Sequence, residues 1–204
     1  MVSGVALAGG RSKRLGRNKA IEKIGDQSLI ERVVGKLSQV TSETVVVVAE
    51  ESKAADLNLP PWVRTAVDLY PGTGSLGGIF TGLSAVKGNY GVVVACDMPF
   101  LNVDLIRFML DIVSDYDAVV PRLQGRPEPL HAVYSKSCVG PIERCLQADQ
   151  LKIAIFFEQI NVAYLEEDDI EAFDPSHLSF FNVNTQEDLD KALALEAEYG
   201  LNDE

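Results

Sequence analysis

Val5-Ala6-Leu7-Ala8-Gly9-Gly10 is an apolar run that ends in two glycines, and the segments on its carboxyl side decide how it is read. A basic loop runs from Arg11 to Lys19. Ser28 to Val40 then reads as a helix: Ser28 and Glu31 have the spacing of a capping box, and Leu29, Ile30, Val33, Val34 and Leu37 fall on one side. Thr44 to Ala49 is an unbroken, β-branched-rich apolar run, the pattern of a strand covered on both faces. Strand, loop, helix and buried strand in that order make a βαβ unit, so residues 5–8 are expected to form a short buried strand of a mostly parallel sheet.

The same alternation continues along the rest of the chain. Val63 to Val67 is a weaker strand, and Gly77 to Lys87 a helix after a glycine-rich turn. Gly91 to Cys96 is the clearest central strand, stopped by Asp97-Met98-Pro99. Asn102 is placed to cap a helix running to Ser114. Asp117 to Val120 and Leu130 to Tyr134 read as strands, Ser135 to about Ala148 and Lys152 to Glu158 as helices, and Asn161 to Leu165 as extended. Phe180 to Val183 is expected as a last short strand, and Thr185 with Asp188 opens a C-terminal helix ending near Gly200. The pattern implies a single α/β domain over residues 1–204, with a mostly parallel sheet between two helix layers. Right-handed crossovers then put the active-site loops at the carboxyl ends of the strands.

Composition narrows the classes of function. The chain has 204 residues, 47% of them apolar and 24% charged, enough for a substantial core. It contains no run of about 18 apolar residues, so a spanning helix is not expected, and the apolar start reads as a buried strand, not a signal peptide. The net charge of −12 argues against non-specific binding to nucleic acid or to an anionic membrane. Positive charge is concentrated: Arg11, Lys13, Arg14, Arg17 and Lys19 put five of the 18 basic residues into nine positions, which points to a small anionic ligand. Three cysteines (Cys96, Cys138, Cys145) without C-x-x-C spacing suggest buried thiols in a reducing cytosol.

Five segments could carry chemistry. Residues 7–19 put small residues at a strand end, where backbone can approach a phosphate and basic side chains can neutralise it; a solvated basic loop is the plainer reading. It is not a Walker A loop, because no Gly-Lys-Ser/Thr comes after it. Asp97, at the end of a buried strand, could hold Mg²⁺ between phosphates or simply form a turn before Pro99. Asp68 closes another strand, ahead of Gly72, Gly74 and Gly77, which match G-x-G-x-x-G and leave a nicotinamide or flavin site open as a rival reading. His131, in a proline-rich bend into an apolar run, could sit in the core or at the rim. Asn182 and Asn184 fall on one face where a strand gives way to a helix; they could bond a ligand, or Asn184 or Thr185 could simply cap that helix. The acidic run Glu166 to Asp169 reads as solvated surface.

Together these segments resemble the molybdenum cofactor guanylyltransferases. The similarity rests on Leu-Ala-Gly-Gly-x-Ser-x-Arg-Leu-Gly-x-x-Lys at 7–19, Asp97-Met98-Pro99, Pro129-Leu130-His131-Ala132-Val133-Tyr134 and Asn182-Val183-Asn184-Thr185. The resemblance implies a three-layer, Rossmann-like nucleotidyltransferase fold, a cytoplasmic enzyme, and transfer of GMP from GTP to molybdopterin. By resemblance, Leu7, Ala8, Gly9, Lys19, Asp68 and Asp97 would contact GTP, with Asp97 ligating Mg²⁺. Arg14, Pro129, Asn182 and Asn184 would lie on the molybdopterin side or orient the phosphates; Arg14, Lys19 and Asp97 would be the catalytic groups. It also implies transient contacts with molybdoenzymes or cofactor-delivery proteins. Related cytidylyltransferases share the first motif and are the nearest alternative, and a non-catalytic adaptor is another. Gly9-Gly10, where the cytidylyl enzymes tend to have Ala-Gly, favours guanine. Two positions depart from the family pattern: Asn18 replaces an Asp, and Val48-Ala49-Glu50 replaces a segment with a nucleoside-contacting Asn.

Overall fold

The computed structural model describes residues 1–9 and 18–199. In chain order the strands and α-helices are β1 (Val2–Leu7), β2 (Lys23–Ile24), β3 (Gln27–Ser28), α1 (Leu29–Ser38), β4 (Thr44–Val48), α2 (Glu51–Ala55), β5 (Val63–Val67), α3 (Ser75–Ala85) and β6 (Tyr90–Ala95). Next come α4 (Val103–Ile112), β7 (Ala118–Leu123), β8 (Arg126–Pro127), β9 (His131–Ser135), α5 (Val139–Gln147), α6 (Ile153–Phe157), β10 (Val162–Leu165), α7 (Glu167–Glu171) and α8 (Gln186–Tyr199).

The main sheet has the order β10-β7-β9-β6-β1-β4-β5, with β8 hooked onto β7 and β2 paired with β3 in a separate ribbon. β1 is parallel to both β4 and β6, β4 to β5, and β7 to β10; within this sheet only β9 and β8 run against their neighbours. From β1 the chain passes through α1 to β4 on one side. It reaches β6, on the other side of β1, only after β5 and α3. The strand order therefore reverses at the β1–β6 pair, and the crevice for a ligand opens beyond their carboxyl ends.

The β-branched runs are buried on both faces because each face has its own helix layer. Ala6, Val46, Val92 and Val94 point towards α1 and α4, against Ile30, Val33, Leu37, Leu105, Ile106 and Met109. The alternate residues Val5, Val45, Val47 and Val93 point towards α3, α5 and α6, against Ile79, Leu83, Ile142 and Phe156. The Ser28–Glu31 capping box opens α1 as its spacing predicts. A third cluster, with Ile24, Leu29, Phe100, Val183 and Leu189, joins the β2–β3 ribbon to α8. Beside it the Arg32 guanidinium pairs with Glu196 and donates to the Ile24 carbonyl at 2.7 Å, fastening α8 to α1.

One expectation changes, and two segments gain structure that the sequence did not announce. Residues 180–183 are not a strand: a 3₁₀ turn at Leu178–Phe180 leads into irregular chain, because the segment is tied to the Asp97 loop and does not join the sheet. Glu51–Ala55 is a short helix with no buried residue, so it carried no apolar period to detect. The acidic run is α7, exposed on its charged side, with Glu166 and Asp169 closing a reciprocal cap and Ile170 buried beneath. Cys96, Cys138 and Cys145 are buried and unpaired. Among the described residues no helix is long and apolar enough to cross a membrane.

Candidate active site at the carboxyl edge of the sheet

β1 delivers Leu7, Ala8 and Gly9 to the crevice. The Ala8 amide donates to the Val47 carbonyl at 2.8 Å, extending the strand pairing one residue past β1, and the Cys96 amide donates to the Leu7 carbonyl at 3.1 Å. The end of β1 is therefore fixed between β4 and the Asp97 turn. Gly9 lies against the Val48–Ala49 backbone, so the segment that departs from the family pattern is at the ligand crevice and not elsewhere.

Asp97 is 5% exposed. Its partner is the Lys19 ammonium, and Lys19 also donates to Asn184 Oδ1 at 3.0 Å. Three residues spread over 165 positions of sequence thus meet on one charge. Each is placed by local structure. Lys19 begins a 3₁₀ turn (Lys19–Ile21) capped by Asn18, whose Oδ1 accepts from the Ala20 amide at 3.2 Å. Asp97 lies just past β6. Asn184 is aligned because the Val183 amide donates to the Asp97 carbonyl at 2.9 Å. The Asn18 bond needs only an acceptor oxygen, so Asn in place of Asp keeps the turn and changes only the charge.

The two readings of residues 184–185 divide between the two residues. Thr185 caps α8, its Oγ1 accepting from the Asp188 amide at 3.1 Å while Asp188 accepts from the amides of Asn184 and Thr185. The Asn184 side chain is spared for Lys19. The Asn182 amide instead donates to the Phe180 carbonyl at 2.9 Å, a local bond within its own turn.

Asp68 lies just past β5. Its Oδ1 accepts from the Tyr70 amide at 3.0 Å and from Thr81 Oγ1 at 3.1 Å, and Thr81 accepts in turn from the Leu69 amide at 3.0 Å. Three strand spacings, roughly 14 Å, separate β5 from β6, so Asp68 lies along the same edge from Asp97 and not beside it. The glycines of residues 72–77 have structural duties here. Gly74, at φ +72°, occupies the cap position of α3, and a Cβ on Gly77 would collide with Thr73 Oγ1 and lie 2.9 Å from the Tyr70 carbonyl. Their loop also comes after the outermost strand, away from the β1–β6 reversal where a dinucleotide loop belongs.

On the far side of Asp97, Pro129 lies in the link between β8 and β9. Its carbonyl accepts from Tyr134 Oη at 2.8 Å, and the adjacent Leu130 carbonyl accepts from the Ala95 amide. Beside Pro129 a groove of about 410 Å³ is lined by Pro127, Phe157, Glu158 and Tyr164. The Arg122 guanidinium lies 4.4 Å from the centre of the Tyr164 ring, and burial raises the Glu128 carboxyl above its ordinary range. His131 is a core residue: fully buried, it donates from Nδ1 to the Ser179 carbonyl at 3.3 Å and packs on Phe180, while Nε2 has no partner among the described residues. Burial pulls its pKa down to about 4 against the opposing pull of Ser179 and Asp174. Arg14 lies outside the described residues, as do Gly10, Arg11, Lys13 and Arg17.

Sequence reasoning missed Thr81, Ser179 and the Tyr164 groove. Thr81 did leave a signal, a lone hydroxyl in the apolar helix run Leu-Gly-Gly-Ile-Phe-Thr-Gly-Leu. Tyr164 left none, since alternation along β10 cannot reveal a groove formed with α6.

A mostly parallel sheet between helix layers, with a lysine–carboxylate–amide constellation at the strand-order reversal, defines an α/β protein of the open-sheet class, in which ligands bind across the strand ends. The particular family emerges from the sequence: residues 4–161 match the MobA-like NTP transferase domain, and the chain belongs to that family. It is 40% identical over 190 residues to a Pelotomaculum thermopropionicum protein named probable molybdenum cofactor guanylyltransferase, spanning 93% of this chain and 91% of the relative. It is 36% identical over 196 residues to the molybdenum cofactor guanylyltransferase of Desulfosudis oleivorans, spanning 95% of each. The crystal structure of molybdopterin-guanine dinucleotide biosynthesis protein A from Archaeoglobus fulgidus superposes with a TM-score of 0.83 at 31% identity, over 96% of this chain and 99% of that one.

Proposed function

We propose that the protein transfers GMP from GTP to the terminal phosphate of molybdopterin, releasing pyrophosphate. The observation that carries this reading is the meeting of Lys19, Asp97 and Asn184 at the β1–β6 reversal, in a chain whose relatives bear the guanylyltransferase name. The nucleotide runs along the edge from Asp68 past Ala49 and Leu7–Gly9, with its phosphates at Lys19. The acceptor approaches from the other side of Asp97, where Pro129 and the groove with Phe157 and Tyr164 offer a flat apolar seat for a heterocycle.

An oxygen of the acceptor's terminal phosphate attacks the α-phosphorus in line. The new P–O bond forms as the bond to the α–β bridging oxygen breaks, and pyrophosphate leaves. A phosphate monoester is already anionic near neutral pH, so no side chain must take a proton. The difficulty is repulsion between anions. Lys19 screens it, and Arg14 of the basic loop adds a second positive charge.

The residues fit a divalent cation such as Mg²⁺. Asp97 and Asn184 present two hard oxygens to one positive charge, and a small cation that binds through one or two protein oxygens takes the rest of its shell from phosphates and water. When bound it neutralises phosphate charge. We place the enzyme in the cytoplasm, where its three buried thiols suit a reducing compartment.

The test is thermal shift with GTP, CTP, ATP and NADH, with and without Mg²⁺, and then pyrophosphate release with molybdopterin. A ligand at 100 times its dissociation constant adds about 2.7 kcal/mol of stability. A Mg²⁺-dependent shift with GTP, then turnover, is expected. Preference for CTP would reassign the base, and a shift with NADH alone would overturn the reading.

A further inference from the structure

We propose that Lys19 is an internal competitor of the divalent cation, its ammonium holding in the nucleotide-free protein the two oxygens that the cation takes when it arrives with a nucleotide. The side chains concerned are largely shielded from water, Lys19 being 17% and Asp97 7% exposed. The ammonium is bonded to the Asp97 carboxylate and to Asn184 Oδ1. These are hard oxygen donors of opposite origin, one after β6 and one before α8, and the Val183–Asp97 backbone bond holds them together whether or not Lys19 is present. No group of three or more His, Cys, Asp or Glu side chains that could hold a metal occurs among the described residues, so this pair offers a cation one carboxylate only.

Two positive charges cannot share that seat. A free divalent cation must displace Lys19, and the displaced ammonium would remain close by without an anion to pair with in a poorly hydrated pocket. A triphosphate changes both sides of the exchange: it gives Lys19 a new anionic partner and brings the cation further oxygen ligands. Lysine can make the move because its charge rides on a flexible four-carbon stem rising from a short turn. Cation loading is thereby coupled to nucleotide loading, and the site stays closed to cations that come alone. The phosphate half of this exchange rests on the nucleotidyl-transfer reading; the competition for the two oxygens does not.

The experiment is Mn²⁺ binding to the nucleotide-free, chelator-treated full chain, with free Mn²⁺ counted by electron paramagnetic resonance. Wild type is compared with Lys19→Met and Lys19→Gln, and circular dichroism checks the fold. Lys19→Gln keeps a polar group at the seat in case methionine is not tolerated. The competition predicts one Mn²⁺ bound at least tenfold more tightly by the lysine variants than by wild type. Adding Asp97→Asn to either variant should abolish the gain. Equal affinity in wild type and folded lysine variants would overturn the proposal, as would a gain that survives Asp97→Asn. A protein that shows the competition but releases no pyrophosphate from GTP would instead sink the guanylyl-transfer reading.

Discussion

Asp97 and Asp68 both sit just past parallel strands at the same edge of one sheet, yet their surroundings have opposite character. Asp97 is nearly buried, and its partner is the ammonium of a lysine on another element. Asp68 is half-exposed, and its partners are neutral donors, a backbone amide two residues on and a hydroxyl from α3. A carboxylate answered by a flexible ammonium can exchange that partner for a metal or a phosphate during a reaction. One answered by an amide and a threonine is part of the scaffold, and what it can offer a ligand is a fixed acceptor. Strand-end position marks the edge at which open α/β sheets bind their ligands. In the mechanism proposed above, the partner's freedom to move is what sets Asp97 apart for charge chemistry.

The largest effect should come from breaking the first of the pair. Asp97→Asn keeps the shape and removes the charge; loss of one such electrostatic group typically costs roughly 10²–10³ in rate. We expect kcat for pyrophosphate release to fall by that factor or more, with the circular dichroism spectrum unchanged. Near-wild-type turnover would take Asp97 out of the reacting centre and reduce its difference from Asp68 to one of burial.

The Asp97 side also leans on a buried base. His131 holds the Ser179 carbonyl, and Ser179 leads through three residues to the Val183 amide bonded to Asp97. With a folded pKa of about 4 and an ordinary value of 6.5, His131 is neutral in the native state while the unfolded chain takes up its proton first. Stability from this source is complete above pH 6.5, falls as pH drops towards 4, and levels off below that. The full span is worth up to about 3 kcal/mol, since protonation would place a charge and an unpaired N–H in the core. Urea titrations at about pH 7 and about pH 4.5 should show this loss in wild type, and His131→Gln should flatten it whatever its effect near neutrality. An unchanged slope in the variant would assign the acid sensitivity elsewhere.

On the Asp68 side the support is Thr81. Thr81→Val keeps the volume but leaves the Leu69 amide without its acceptor and Asp68 with the Tyr70 amide as its remaining donor, a loss of about 1–3 kcal/mol. In the nucleotide placement proposed above the scaffold at Asp68 serves binding, so KM for the nucleotide should rise while kcat holds. A fall in kcat with KM unchanged would mean that Asp68 acts in the chemical step as Asp97 does.

Much of this edge was legible in the sequence, for reasons that differ between residues. The βαβ reading of residues 5–49 held because β-branched runs and a capping box are local signals, and helix layers on both faces require those runs. Asp97 was legible as a strand-end carboxylate, and the basic loop pointed to Lys19. Their pairing was not, since nothing local ties residue 19 to residue 97. Residues 180–183 misled for the same reason: the run has a strand's composition, but its bonding partner is the Asp97 turn and not a sheet edge. The literal G-x-G-x-x-G was a pattern without its context, because a phosphate-binding turn belongs at the strand-order reversal and this loop comes after the outermost strand.

The smallest change is the sharpest discriminator between the two carboxylates. Asp68→Asn leaves an oxygen that can still accept from Tyr70 and Thr81, so stability should move by no more than about 1 kcal/mol. What changes is the charge offered to a ligand. If Asp68 accepts hydrogen bonds from the nucleoside, the nucleotide's KM should rise several-fold with kcat intact, because that contact is the same in the bound substrate and the transition state. The effect should also be selective, weakening the guanine nucleotide while leaving the binding of inorganic pyrophosphate, which has no nucleoside, unaltered. Equal weakening of both would move Asp68 to the phosphate side of the crevice. The nucleotide would then lie in the opposite sense along the strand ends, with its base nearest Asp97.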